Sequence, residues 1–259
     1  MEYIFYIIAG VGAGAITGLA GLTAALIITP ILFAICGWDA FDSVTVALLA
    51  DVPASFMSAV TYYKNNNVDI KRGGAVAITA FLGSVIGTYC GFLFNQAQPG
   101  GLGYLSLIST IVFGVRFIIS PITGGQTEQT NIDTPDEKRR IILAMFLGTF
   151  IGWICGFCGS GGGMLMLSLF VLLLRMSLKT SVGTSTMVMT AVALTGAVSH
   201  FMMGASLNIL PTIVIVGSCL ISSVSASKFA NKCEAKVLNR VIGGVLIWLG
   251  IITWIFKII

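Results

Sequence analysis

The sequence predicts an all-α protein that crosses a membrane several times, arranged as an inverted repeat of two halves. Three observations carry this expectation. Of 259 residues, 56% are hydrophobic and 9% charged, with mean hydropathy +0.99, whereas a soluble domain carries about 25% charge. Two uncharged runs of equal length, 3–36 and 141–174, each hold glycines near the middle. The basic residues concentrate on alternate loops. Each half then reads as a broken, re-entrant helix hairpin plus three transmembrane helices. The first repeat covers 1–120, a cytoplasmic linker covers 121–140 and the second repeat covers 141–259.

Taken in chain order, the run Tyr3–Cys36 lies between Glu2 and Asp39 and centres on Thr17-Gly18-Leu19-Ala20-Gly21-Leu22-Thr23-Ala24-Ala25. Met1-Glu2-Tyr3 lacks the basic start of a cleaved signal peptide, so this run is expected to stay in the mature protein. Apolar segments follow at Ser43–Tyr62, Ala75–Phe94 and Leu102–Ser120, then the polar stretch Gly124–Arg140 with Pro135. The second uncharged run, Ile141–Leu174, spans 34 residues between Arg140 and Arg175. As one helix it would measure about 51 Å, against a hydrocarbon core of about 30 Å. Its centre, Cys155-Gly156-Phe157-Cys158-Gly159-Ser160-Gly161-Gly162-Gly163, is a poor helix interior. Two half-length arms meeting at a break are therefore expected, and exposed backbone at that depth must be buried in protein or line a polar cavity. Segments Val182–Met203, Leu210–Ser227 and Val241–Phe256 complete the second half.

Sliding the chain on itself by 138 positions, the offset between Tyr3 and Ile141, superposes glycines without a gap. Gly10, Gly14, Gly18 and Gly21 fall on Gly148, Gly152, Gly156 and Gly159, and Ser43-Val44 on Ser181-Val182. Charge placement then decides how the runs traverse the bilayer. If each is a hairpin, loops 63–74, 121–140, 175–181 and 228–240 share one face and hold twelve of the fourteen Lys and Arg residues. Loops 37–42, 95–101 and 204–209 hold none. The basic face is expected to be cytoplasmic, with both termini outside. A hairpin plus three crossings is an odd number, so the halves run in opposite senses, as in secondary transporters.

Several function classes are excluded or disfavoured. No basic stretch is interleaved with aromatics as nucleic-acid binding requires, and no G-x-x-x-x-G-K-[ST] pattern offers an ATP site. Cys36, Cys90, Cys155, Cys158, Cys219 and Cys233 fall mostly in apolar runs, unlike a secreted disulfide framework. The C-x-x-C of Cys155 and Cys158 has no second ligand pair for zinc. No metal or cofactor is expected.

The segment Gly156–Gly163, the apolar arm after it, Ser177-Leu178-Lys179-Thr180-Ser181-Val182-Gly183-Thr184-Ser185 and the His200 region resemble the TauE/SafE family of sulfite/sulfonate exporters. The resemblance covers nearly the whole chain and is most specific between Gly152 and His200. It implies a multi-pass transporter of the cell (inner) membrane that moves sulfite, thiosulfate or an organosulfonate. The first half departs from the pattern: it has Thr23-Ala24-Ala25 where the second has a triple glycine, and Pro30 where the second has Ser168. The two hairpins are therefore chemically unequal.

Candidate site residues follow from the needs of a buried anion. Backbone N–H groups at a helix start supply donors without a buried charge, and the helix dipole favours negative charge there. Gly21, Thr23, Cys158, Gly159, Ser160, Gly161, Gly162 and Gly163 surround the two expected starts. The rows Gly10-Gly14-Gly18 and Gly148-Gly152-Gly156 read instead as small-residue packing faces. Cys155 and Cys158 read either as thiols against a sulfur substrate or as small apolar filler. Thr184 and Ser185, with Ser181 and Thr186, read as lining of the pathway or as hydroxyls bonded back to their own helix. His200, the only histidine, reads as a substrate contact, a proton relay or an interfacial hydrogen-bonded residue. Asp51 lies midway along an apolar segment, where a carboxylate is costly. It reads as the site of a coupling ion, proton or sodium, or as a partner for Arg116, which itself reads equally as a snorkelling side chain.

The expected function is thus a secondary transporter for a small sulfur-containing oxyanion, embedded in the lipid bilayer and working by alternating access. An anion channel would share the break. An intramembrane serine hydrolase using Ser160 and His200 is the enzymatic alternative, but a G-x-S-G pattern fails because Cys158 takes the first glycine position.

Overall fold

Both uncharged runs are interrupted by one glycine with a positive φ. The computed structural model describes residues 2–119, 135–160 and 162–232, with Ile247 and Ile251. Helix α1 (Glu2–Ala20) stops at Gly21, φ +65°, and α6 (Pro135–Cys158) stops at Gly159, φ +68°. Glycine enters this left-handed region without the Cβ penalty and terminates a helix there. The Gly21 N–H donates to the Thr17 carbonyl at 2.9 Å, and the Gly159 N–H to the Cys155 carbonyl at 2.7 Å.

The chain then restarts in short arms. Helix α2 (Ala25–Pro30) continues into a π-helical turn over Ile31–Ile35, and α7 (Gly162–Ser168) into one over Leu169–Leu173. Each run doubles back on itself. Tyr6, in the second turn of α1, meets Trp38 edge-on at 6.0 Å. Ala144, early in α6, shares a buried apolar cluster with Leu174 and Met176.

The arms are unequal, which corrects the expectation of two half-length helices. Helix α1 has 19 residues and α6 has 24, so α1 alone is about 28 Å long at ~1.5 Å per residue. The reason is that most glycines in the runs lie inside helices, against another helix. A Cβ on Gly14 would meet the Cys219 carbonyl, and one on Gly18 the Ser223 carbonyl. Gly152 and Gly156 stand in the same relation to the carbonyls of Ala80 and Ser84. These rows serve close packing, and only the left-handed glycine breaks the helix.

The remaining helices are α3 (Ala40–Lys64), α4 (Ile70–Ala97), α5 (Gly101–Ile119), α8 (Leu178–Met202) and α9 (Ile209–Ala230). The crossing expected at 241–256 lies outside the described residues apart from Ile247 and Ile251. Six helices (α1, α3, α4, α6, α8 and α9) are long and apolar enough to cross a membrane among the described residues. The chain is thus an all-α polytopic membrane protein. Side-chain caps start three helices: Asp39 accepts from the Phe41 N–H at 2.8 Å, Asp69 from Arg72 at 3.0 Å and Ser177 from Thr180 at 3.2 Å.

Helices α3 and α8 form the centre. The apolar window of α8 is 72% buried and that of α9 only 22%, so α8 is an interior helix and α9 an outer one. On one flank α1 packs against α9, and on the other α6 packs against α4. Ile78, Phe146 and Ile221 are each more than 60% exposed on the outer helices, as expected of a lipid-facing surface.

Contacts sort the helix ends. The Asp42 carboxylate accepts from Ser206 N–H and Oγ at 2.9 and 2.7 Å, joining the start of α3 to the loop after α8. At the opposite end of α3, the Asp69 N–H donates to Thr184 Oγ1 at 3.0 Å and Asn67 Nδ2 to Asn231 Oδ1 at 2.9 Å. Lys179 Nζ donates to the Asn231 carbonyl at 2.6 Å, and Arg72 pairs with Glu137 at 2.9 Å. The starts of α4, α6 and α8 and the ends of α3 and α9 therefore meet at one end of the molecule.

Candidate functional site

The two interruptions touch each other in the interior. A Cβ on Gly163 would meet the Gly21 carbonyl at 2.6 Å, the Thr23 N at 2.7 Å and Leu22 Cα at 2.8 Å. Only a glycine start on α7 allows this approach. Each break also lies against a central helix from the other half: Gly21 against Val182 and Ser185 of α8, and Gly159 against Val44 of α3. Val44 and Val182 are themselves 138 positions apart.

The residues singled out from sequence divide into those at this junction and those beside it. Thr23 is fully buried, and its hydroxyl has no hydrogen-bond partner among the described residues. Ser160 is 1% exposed and shares a 2.8 Å hydrogen bond with Ser109 of α5. Its hydroxyl also donates to Cys158 Sγ at 3.5 Å, and that thiol donates to the Ile154 and Ser160 carbonyls at 3.2 and 3.3 Å. Gly162 starts α7 in contact range of Cys155, whose Cβ a substituent would meet at 2.8 Å. Gly161 lies outside the described residues.

Ser185 is buried beside Gly21 and bonds back to the Val182 carbonyl at 2.9 Å. Thr184, one residue earlier, accepts the Asp69 N–H and so faces the α4 start. His200 stands off the junction. Its ring stacks on Phe41 at 4.2 Å, its Nδ1 shares a 2.9 Å hydrogen bond with Thr45, and it faces the Gly156 backbone in the turn before the second break. Nε2 closes no hydrogen bond among the described residues. Position 62, its counterpart in the first half, is Tyr62, whose hydroxyl donates to the Gly18 carbonyl at 3.0 Å.

Asp51 is 1% exposed and belongs to α3. The Ala24 backbone and the Thr17 hydroxyl face its carboxyl, and neither carboxyl oxygen closes a hydrogen bond among the described residues. Cys155 and Cys219 lie within its electrostatic reach. No group of three or more candidate metal ligands occurs among the described residues. An apolar cavity of about 390 Å³, bordered by Phe56, Tyr63, Met187 and Leu194, includes none of the break residues.

Comparison with known proteins places the chain. The sequence model of the family described as "Sulfite exporter TauE/SafE" matches residues 6–253. The chain belongs to this TauE/SafE family. It is 26% identical over 264 residues to the "Probable membrane transporter protein YunE" of Bacillus subtilis (strain 168), covering 96% of each chain. It is 25% identical over 192 residues to the "Probable membrane transporter protein YdhB" of the same organism, covering 73% of this chain and 74% of that one. No solved structure matches it significantly. As a TauE/SafE member the chain is a multi-pass membrane transporter, not an enzyme, which removes the hydrolase alternative.

Sequence reasoning overlooked the second buried polar centre of this TauE/SafE chain. Arg72 and Glu137 are 6% and 2% exposed and paired at 2.9 Å. Both sit in what read as solvated loop sequence, Lys71-Arg72-Gly73-Gly74 and Asp136-Glu137-Lys138. The available signal was Gly73, whose lack of a side chain lets Thr184 of α8 approach. The return glycines on α4 were also overlooked: Gly83, Gly87 and Gly91 lie on the carbonyls of Thr149, Trp153 and Phe157.

Proposed function

We propose that this TauE/SafE member moves a small sulfur-containing oxyanion (sulfite, thiosulfate or an organosulfonate) by alternating access around its two helix breaks. The observation that carries this reading is the meeting of the breaks, Gly163 against Gly21 and Thr23, in the buried centre of an apolar molecule. Backbone N–H groups at Thr23–Ala25 and at Gly162 and Gly163 begin the short arms, and such starts attract an anion without a buried positive side chain. Thr23 and Ser160 add hydroxyl donors, and Cys158, Gly159, Gly162 and Gly163 form the wall on the second side. Gly21 and Ser185 form it on the first, and Thr184 leads from there toward the α4 start. His200 acts from behind Gly156, where its ring sets the last turn before the break.

Alternation is supported by the way the halves mirror each other. Left-handed Gly21 and Gly159, the π turns 31–35 and 169–173 and the caps Asp39 and Ser177 all recur at the 138-residue offset. The start of α1 lies at the α3-start end, and the start of α6 at the α3-finish end. Copies run in opposite senses about a central site can exchange roles, opening the site first to one side and then to the other. The break residues are buried, which fits an occluded form between those two. Asp51, beside Ala24 in the first break, is the coupling site for a proton or sodium ion. The end that carries Lys71, Lys138 and Lys179 is cytoplasmic by the positive-inside rule, with both termini outside.

Uptake of radiolabelled sulfite, thiosulfate and methanesulfonate into proteoliposomes under imposed ion gradients tests the reading. Flux against a concentration gradient is expected for at least one of them. Flux that only dissipates the gradient supports an anion channel, and no flux for any anion overturns the sulfur-oxyanion reading. Thr23→Val keeps side-chain shape while removing the donor. A hydrogen bond to a charged group is worth about 1.5–3 kcal/mol, so KM is expected to rise by roughly tenfold or more.

A further inference from the structure

A buried ion pair lies at the helix-end cluster, on the α4 side of the first break. Arg72, at the start of α4, places a guanidinium N 2.9 Å from Glu137 of α6 and its Nε 3.6 Å from the Asp69 carboxylate. Asp69 in turn donates its backbone N–H to Thr184, the neighbour of the Ser185 that lies against Gly21. The cluster therefore sits on the same stretch of α8 as the first break, on its α4 side.

An ion pair this deeply buried gains little from stability alone. Desolvation of two charges offsets their attraction, and well-packed apolar residues of similar volume often serve as well. The counterpart of Arg72 at the 138-residue offset is Leu210, 60% exposed on α9, and the counterpart of Asp69 is Leu207. At these positions the first half carries charged side chains and the second half apolar ones. A guanidinium offers an oxyanion the same charge-assisted donors that it offers a carboxylate. Glu137 takes one of those donors in the structure.

We propose that Arg72 is a substrate-anion site on the route between the α4–α6 end and the breaks, and that Glu137 is the resident carboxylate an arriving oxyanion displaces. This rests on the sulfur-oxyanion transport reading. Displacement releases the Arg72–Glu137 link between the starts of α4 and α6 while their glycine rows stay packed, so arrival of the anion and opening at those starts are one event. Between visits the carboxylate closes the route.

The test is sulfite flux by the full-length protein in proteoliposomes, as KM and kcat, with the thermal midpoint in detergent alongside. Glu137→Gln keeps the shape but removes the competing charge, and KM is expected to fall by roughly tenfold. Arg72→Lys keeps the charge but loses the fork, and KM is expected to rise several-fold with a near-normal midpoint. Arg72→Gln combined with Glu137→Gln removes both charges, avoids a stranded ion and is expected to keep the high KM. If the variants shift the midpoint but leave KM within twofold of the wild type, the pair only holds the helices together and the proposal is overturned. A wild type without sulfite, thiosulfate or methanesulfonate flux overturns the transport reading itself, and this inference with it.

Discussion

Asp51 carries the sharpest residue-scale prediction. Its carboxyl is buried on α3 beside Thr17 and Ala24, and neither oxygen has a closed hydrogen bond among the described residues. An ionisable group in the membrane interior is maintained at a cost that function must justify. Asparagine copies the neutral form and cannot exchange a proton. Asp51→Asn is therefore expected to remove the dependence of sulfite accumulation on an imposed proton gradient while leaving gradient-free exchange intact. Flux measured from pH 5 to 8 with an unchanged profile would take Asp51 out of the coupling role for protons, and the same comparison under a sodium gradient tests the other ion. Tyr62 makes a different prediction. Its hydroxyl donates to the Gly18 carbonyl at 3.0 Å in a buried setting, so Tyr62→Phe strands that acceptor at a cost of about 1–3 kcal/mol. A lowered thermal midpoint with near-normal KM is expected. Asp51 could be singled out from sequence because a charge in an apolar run stands out by itself. Tyr62 and Arg72 could not, because a tyrosine near a helix end and an arginine in a loop acquire meaning only from what folds against them.

At the scale of the helix, glycine has two jobs that sequence alone separates poorly. The apolar segments placed α3, α4, α5, α8 and α9 well, and each helix starts a little before its segment. Their caps and first turns (Asp39, Asp42, Asp69, Lys179) are polar and fall outside any hydrophobic window. The breaks were harder to place, since the runs hold many glycines and only Gly21 and Gly159 among those described adopt the left-handed conformation. The others lie where a neighbouring helix comes too close for a side chain. Substitution separates the two cases. Gly152→Val would drive its side chain into the Ala80 carbonyl of α4, and overpacking of this kind costs about 1–3 kcal/mol. Gly217 lies within α9 with nothing among the described residues within 4 Å of an added Cβ, so Gly217→Ala is expected to be neutral or to gain up to about 1 kcal/mol from helix propensity. Monodisperse yield and thermal midpoint in detergent check both. Equal behaviour of the two variants would mean that the α4–α6 approach is not a tight contact.

For the molecule as a whole, the decisive quantity is the direction in which each half enters the membrane. The glycine offset and the alternation of basic loops are sequence facts, whereas the packing of α1 on α9 and of α6 on α4 emerges only from the fold. Those pairings join a helix of one half to a helix of the other, and no local pattern announces a partner that distant. They also fix a testable geometry. Lys138 and Lys179 belong to the end where Arg72 meets Glu137, and Ser206 to the end where Asp42 caps the loop after α8. In a cysteine-free background, single cysteines at 138 and 179 are expected to react with an impermeant maleimide only when the cytoplasmic side is exposed. A cysteine at 206 is expected to react only from outside. Inverted and right-side-out vesicles provide the two conditions. Labelling of 138 and 179 from different sides would mean that the run 141–174 crosses the membrane once, with no hairpin. The two breaks would then lose the opposed approach on which a shared, alternately opened anion site depends.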